Sequence, residues 1–300
     1  MIRAISAAGG LIALAAAFSP ACAQRDFSSV EIKTQEVVPG IYMLEGAGGN
    51  IGLSTGPDGS IVIDDQFAPL APKIAAAIKA ETDRPLAFLL NTHWHGDHTG
   101  GNEAMAAAGA KIVAQDNVRK RLKDGLTRAS GSVTDPAAPS ALPVITFSDA
   151  VSFYWNGHDI RVFHPAPAHT DGDAIVVFED ANVIHTGDVF FNGAFPYIDL
   201  ESGGDLDGYI AAQEAILALS DDKTKIIPGH GALGTKADLA AANNMLKDVK
   251  KRIEALIDEG LDEDAVVKAD PLKDLNTKWG QGYINGESMT KIAYRSLAAK

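Results

Sequence analysis

Short apolar runs that alternate with polar residues, parted by Gly-containing and Pro-Asp-Gly turns, fill the first part of the chain. A period of two is the mark of a strand with one buried face. It predicts strands over residues 30–38, 41–44, 50–55 and 60–64. The spacing changes to that of a helix over 72–80, and the continuous apolar run Leu86-Ala87-Phe88-Leu89-Leu90 then reads as a buried strand. Helices over 102–108 and 117–123 flank a strand over 111–114. The second half repeats the arrangement, with strands over 151–155, 159–164, 174–179 and 183–186, then a helix over 206–219. A long amphipathic helix over 236–259 places Leu239, Met245, Leu246, Val249, Ile253, Leu256 and Ile257 on one side, and a last helix covers 289–299. Residues 125–143 are rich in Ser, Ala, Pro and Thr without periodicity, and are expected to form a surface loop near the cleft. Strands grouped in each half with helices after them suggest an α/β (α+β) fold: two sheets packed together, helices outside. No internal repeat is legible.

The chemistry concentrates in one segment, Asn91-Thr92-His93-Trp94-His95-Gly96-Asp97-His98, directly after the buried strand. On a helix, positions two apart point to nearly opposite sides, so His93 and His95 could not converge on one ion there. The motif must therefore sit on a loop at a strand end. Imidazole and carboxylate together suit zinc, with iron or manganese also possible. Three later segments each place another such group beside a strand: Pro167-Ala168-His169-Thr170, Val183-Ile184-His185-Thr186-Gly187-Asp188, and Ile226-Ile227-Pro228-Gly229-His230-Gly231. Strand ends are where open sheets collect their sites.

In this order, the four segments resemble the metallo-β-lactamase superfamily, over nearly the whole chain from about Val30 onward. The resemblance implies an αββα sandwich of two mixed sheets with external helices and the site along one sheet edge. It implies that His93, His95 and His169 hold one metal, that Asp97, His98 and His230 hold a second, and that Asp188 bridges them. Two Zn2+ ions per chain are the expected cofactor, and Asp97 is expected to carry catalysis as well as to bind. Physical chemistry agrees with such a pair: a bridging carboxylate offsets the repulsion of two dications, and the ions acidify a water to a pKa of roughly 7. Asp64 resembles a carboxylate that fixes the tautomer of a ligating ring. A strand-end turn residue is nearly as good a reading of it.

Composition sets the surroundings. The chain has 300 residues, 46% hydrophobic, enough for one large core or two small ones. Arg3, the apolar stretch from Ala4 to Phe18 and Ala21-Cys22-Ala23 read as a secretory signal over 1–23, leaving one domain over 24–300. The expectation is therefore a periplasmic monomer with no retained membrane anchor. The single cysteine is Cys22, which leaves with the signal, so no disulfide or thiolate ligand is expected. A net charge of −13 repels phosphate, which argues against a nucleic-acid partner and for a small-molecule substrate.

That substrate is harder to read. A metal-activated water attacks carbonyls, which covers β-lactams, lactones, thioesters and esters. The motifs are similar to those of dizinc broad-spectrum β-lactamases, so the β-lactam amide is the favoured expectation, with a lactonase or thioesterase as the alternative. Two departures count against efficient lactam hydrolysis: Asp188 stands where those enzymes carry a cysteine, and Phe191 where they carry a lysine that pairs with the lactam carboxylate. The loop Gly46-Ala47-Gly48-Gly49 also lacks large apolar flap residues. Iron oxidoreductases of the superfamily have overlapping ligands, but export without a redox cysteine argues against them. Phe190, Phe191, Phe195 and Tyr197 read equally as a substrate pocket or as local core. The same ambiguity holds for Trp94, as cleft wall or core anchor. His164 and His185 read as structural, and His158, in an Asn-Gly-His turn, as solvated.

Overall fold

A computed structural model describes residues 26–299; the expected signal over 1–23 and Cys22 lie outside them. The first half gives strands β1 (Lys33–Val38), β2 (Ile41–Glu45), β3 (Ile51–Ser54) and β4 (Ser60–Ile63), helix α1 (Ala71–Glu81) and strand β5 (Leu86–Leu90). Helical turn α2 (Gly96–Thr99), helix α3 (Asn102–Ala107), strand β6 (Lys111–Gln115) and helix α4 (Asp116–Asp124) follow. Next come β7 (Leu126–Thr127), β8 (Val133–Thr134), β9 (Ile145–Phe147), β10 (Ala150–Trp155), β11 (His158–Phe163), β12 (Ile175–Phe178) and β13 (Val183–His185). The chain closes with α5 (Leu206–Leu219), β14 (Lys225–Ile227), β15 (Gly234–Thr235), α6 (Lys236–Asp258), α7 (Glu263–Ala269), α8 (Lys273–Trp279) and α9 (Gly286–Ala298).

Two mixed sheets result, ordered β1-β2-β3-β4-β5-β6-β9 and β10-β11-β12-β13-β14-β15. Alternation along the strands assigns their faces. Ile61 and Ile63 of β4 pack with Val176 and Phe178 of β12 in the layer between the sheets. Val62, one residue out of phase, instead joins Ile74 and Ile78 of α1 on the outer face of the first sheet. Ile175 and Val177 likewise turn outward, toward Tyr209 of α5 and Leu246 and Val249 of α6. A one-residue register slip would exchange these sets, so the pattern specifies the packing. Helices thus cover both outer faces, which is the expected αββα sandwich. No helix among the described residues is long and apolar enough to cross a membrane.

Several local expectations need correction. The first strand begins at Lys33 rather than at residue 30. Residues 125–143 are not featureless: β7 and β8 pair as a small hairpin, and a 3-10 turn spans Pro139–Ala141. Strands β9 and β15 and helices α7 and α8 carry too few residues to show a period. The final helix starts at Gly286, where Asn285 accepts a hydrogen bond from the Ser288 N–H as its N-cap. The ligand-bearing segment is a loop through His95, as the spacing argument requires, but Asp97 and His98 then lie on α2.

Candidate metal centre

Parallel pairing of β4 with β5 and of β13 with β14 brings four strand C-termini to one edge of the sandwich. Strand β12 runs antiparallel to β13, so its N-terminus, preceded by His169, arrives at the same edge. Backbone hydrogen bonds tie the two sheets together there. The Asn50 N–H donates to Gly229 O at 2.7 Å, and the Ala174 N–H donates to Thr92 O at 2.7 Å. All seven residues singled out in the sequence converge at this seam, in two groups of side-chain atoms: His93, His95, His169 and Asp188, and Asp97, His98 and His230.

In the first group, His95 Nδ1 lies 3.1 Å from His93 Nε2 and 2.9 Å from His169 Nε2. Asp188 Oδ2 is 3.8 Å from His93 Nε2 and 3.5 Å from His169 Nε2. In the second group, Asp97 Oδ2 is 3.7 Å from His98 Nε2 and 3.5 Å from His230 Nε2. Asp188 reaches this group too, with Oδ1 3.1 Å from His98 Nε2 and Oδ2 3.3 Å from His230 Nε2.

A cation fits these donors. His98 Nε2 and Asp188 Oδ1 face each other inside the protein, yet neither makes a hydrogen bond. Buried polar atoms ordinarily have partners, because stranding one costs about 1–3 kcal/mol. A metal ion accepts both without requiring hydrogen-bond alignment. Burial pushes His169 down to about 4 and holds His93 well below the usual imidazole range, so both rings are neutral and offer lone pairs. Burial alone would raise Asp188, but the imidazoles of His230 and His98, both raised above their usual range by the surrounding carboxylates, outweigh it and hold the carboxyl ionised.

The rings are held from behind. Asp64 accepts hydrogen bonds from the Thr92 N–H and hydroxyl at 2.8 and 2.7 Å, and lies 2.8 Å from His98 Nδ1. Asp64 itself adopts φ of 62°, a left-handed conformation that aspartate tolerates better than most residues. Asp64 is thus both a strand-end turn residue and in contact with His98 Nδ1, the contact that the tautomer-fixing reading requires. His169 Nδ1 sits 2.8 Å from Tyr197 O, and His93 Nδ1 sits 3.1 Å from the Thr92 hydroxyl. His95 Nε2 lies 2.8 Å from Asp199 Oδ2. Asp199 in turn accepts from Ser202 Oγ at 2.7 Å and from both terminal nitrogens of Arg128, at 2.9 and 2.8 Å. Burial raises the Asp199 carboxyl, but hydrogen bonds from Arg128, His95 and Ser202 overcome that and hold it far below the usual carboxylate range. Sequence reasoning missed both Asp199 and Arg128. The only signal was the expectation that the 125–143 segment borders the cleft.

Two glycines show how closely the backbone approaches. A Cβ on Gly49 would lie 2.1 Å from His98 Cε1, and one on Gly229 would lie 2.0 Å from Asp188 Oδ1. The bare Gly48-Gly49 loop therefore leaves room for His98. The ambiguous residues are also resolved. Trp94 is core, packed with Ala114, Val118 and Leu122. Phe190 and Phe195 are core, whereas Phe191 and Tyr197 line a cavity of about 870 Å³ above His95, Asp97, Asp188 and His230. His185 is buried against Asn50 O, and His164 Nδ1 sits 2.7 Å from Asp173 O, both structural roles. His158 is not simply solvated: it is half-buried, with Nδ1 2.8 Å from Asp180 Oδ2.

Comparison with known proteins places this geometry. A family model described as the metallo-beta-lactamase superfamily matches residues 44–230, a span that includes all seven convergent residues. The hydroxyacylglutathione hydrolase of Nitrosococcus oceani is 30% identical over 47% of the chain, a match that spans about half (47%) of that enzyme. The corresponding enzyme of Haemophilus influenzae is 28% identical over 55% of the chain and 78% of its own length. Among solved structures, a metallo-beta-lactamase from Pontibacter korlensis superposes with a TM-score of 0.61 at 17% identity, covering 73% of this chain and 100% of that one. That last likeness is one of fold.

Proposed function

The chain belongs to the metallo-beta-lactamase superfamily, and from that premise we propose that it is a dizinc hydrolase that cleaves a thioester, ester or lactone. One observation carries the reading. Seven imidazole and carboxylate groups converge as two adjacent sets beneath a cavity of about 870 Å³, and Asp188 lies within reach of both sets. In this reading His93, His95 and His169 hold one ion, Asp97, His98 and His230 hold the other, and Asp188 serves both. When bound, such ions polarise the scissile carbonyl and bring a water to a pKa of roughly 7. Both Asp97 and Asp188 line the cavity, and Asp97, at 27% exposed against 5%, is the more open of the two. Asp97 is placed to orient the attacking water. Water adds to the carbonyl carbon, the C–S or C–O bond breaks, and the water's proton passes to the leaving thiol or alcohol.

The sequence favoured a β-lactam amide. The relatives support the alternative, since hydroxyacylglutathione hydrolases move an acyl group from a carrier to water. Phe191 on the cavity wall supports it as well, because the lysine that would pair with a lactam carboxylate is missing. Elemental analysis of purified protein is expected to give two zinc ions per chain, falling to one or fewer in Asp188→Ala. A wild-type ratio near one, unmoved by added zinc, would sink the dinuclear reading. Export to the periplasm accompanies the proposal, supported by the signal-like segment ending at Ala23. The mature protein is expected to begin at Gln24, and an N-terminal sequence starting at Met1 would overturn this.

A further inference from the structure

We infer that the cavity takes an uncharged substrate whose acyl group carries an aromatic ring or a comparable apolar body. The inference rests on the hydrolase reading for the reacting bond and names the acyl group that is cleaved. Its first basis is the wall. Phe191 stacks on His230, with centroids 4.8 Å apart and planes at 22°. Tyr197 stands edge-on to His169 at 6.0 Å, and Tyr283 stands edge-on to Tyr197 at 6.3 Å. Phe191, Tyr197, Tyr283 and Phe67 all line the cavity. Tyr283 is 87% exposed, a large aromatic held at the mouth without cover. Isolated exposed rings are ordinary, but this one continues a row that runs down to the two ligand sets.

The second basis is charge. Among the described residues, Arg128 is the only lysine or arginine lining the cavity. Both of its terminal nitrogens are engaged by Asp199, and Nη1 also meets Glu201 at 3.2 Å and Tyr197 OH at 3.4 Å. One guanidinium between two carboxylates leaves that side of the mouth with net negative charge. A substrate carboxylate held at that side of the mouth, away from the two ligand sets, would lose water without gaining an unpaired cation, so this wall selects against anions. An apolar ring loses only unfavourable hydration. Its full burial is worth about ten- to a hundredfold in binding.

The test uses zinc-loaded enzyme and thioesters of mercaptoethanol carrying acetyl, phenylacetyl or 4-carboxyphenylacetyl groups, with thiol release measured. The expected result is a kcat/KM for the phenylacetyl ester about ten- to a hundredfold above that for the acetyl ester. The carboxylated ester should fall at least tenfold below its neutral twin. Phe191→Ala and Tyr283→Ala should each shrink the phenylacetyl-to-acetyl ratio. Calorimetry with the uncleavable amides of the same three acids reports binding independently of turnover. Equal rates for the three thioesters, or preference for the carboxylated one, overturn the aromatic, uncharged assignment while leaving the hydrolase reading intact. If no thioester is cleaved yet the amides bind in the expected order, the thioester form of the hydrolase reading fails and the cavity assignment stands.

Discussion

Asp97→Ala and His230→Ala are each expected to lower kcat/KM by about a thousandfold, roughly 4 kcal/mol of barrier, without unfolding the protein. The size follows from the place of these groups in the site. Together with His98 they make up the second ligand set, and removing either leaves that set with two of its own donors plus the shared Asp188. A catalytic zinc ordinarily has three protein ligands and one open position, a number then reached only by counting the Asp188 that the first set also uses. The fold should survive because both side chains face the cavity, 27% and 30% exposed, rather than filling the core. By contrast His93, His98 and His169 are fully buried, and their truncation would mix a packing defect with loss of a ligand. The measurement is kcat/KM for the best thioester, beside metal content and the circular dichroism of each variant. Activity within about threefold of wild type for both, a difference near 0.65 kcal/mol, would show that the second ligand set is dispensable.

The sandwich was legible because its strands announce their faces. Ile61 and Ile63 against Val62, and Val176 and Phe178 against Ile175 and Val177, sort into inner and outer layers as a period of two demands. The candidate metal centre was legible for a different reason: His93, His95, Asp97 and His98 are crowded into one segment, and His169, Asp188 and His230 each adjoin an apolar strand. What sequence could not supply was anything created by contact between distant loops. Asp199 is 104 positions from His95, in an unmarked Ile198-Asp199-Leu200 stretch. Arg128 lies in a run whose composition signals only a loop. Trp94 stayed ambiguous because neighbouring side chains in an irregular loop follow no period. Only the position of α4, with Val118 and Leu122 beneath the indole, decides that it is core. The same limit applies to Phe191, flanked by core Phe190 and two residues from Gly193. Its stacking on His230 follows from the bridge between those two positions, which no local pattern announces.

Asp199→Ala is expected to cost about ten- to a hundredfold in zinc affinity at the first ligand set, with kcat/KM falling in step. The carboxylate sits where three donors meet. Oδ2 takes contacts from His95 Nε2, Ser202 Oγ and Arg128 Nη2, all within 2.7 to 2.8 Å. With Nε2 hydrogen-bonded to Asp199, the His95 proton is fixed on that side and Nδ1 is left to face His93 and His169. Removing the carboxylate frees the ring to rotate and to change tautomer, and leaves the Arg128 guanidinium with Glu201 and the Tyr197 hydroxyl as its remaining partners. Asp199→Asn keeps an acceptor oxygen for His95 and should recover most of the zinc affinity, although its amide pairs less well with Arg128. Arg128→Ala leaves His95 and Ser202 on Asp199 and should weaken zinc less than Asp199→Ala does. Chelator competition measures the affinity of each variant, and thermal unfolding of the metal-free proteins separates a general loss of stability. If Asp199→Ala binds zinc as tightly as wild type, or if Asp199→Asn is as damaged as alanine, Asp199 does not act by orienting His95.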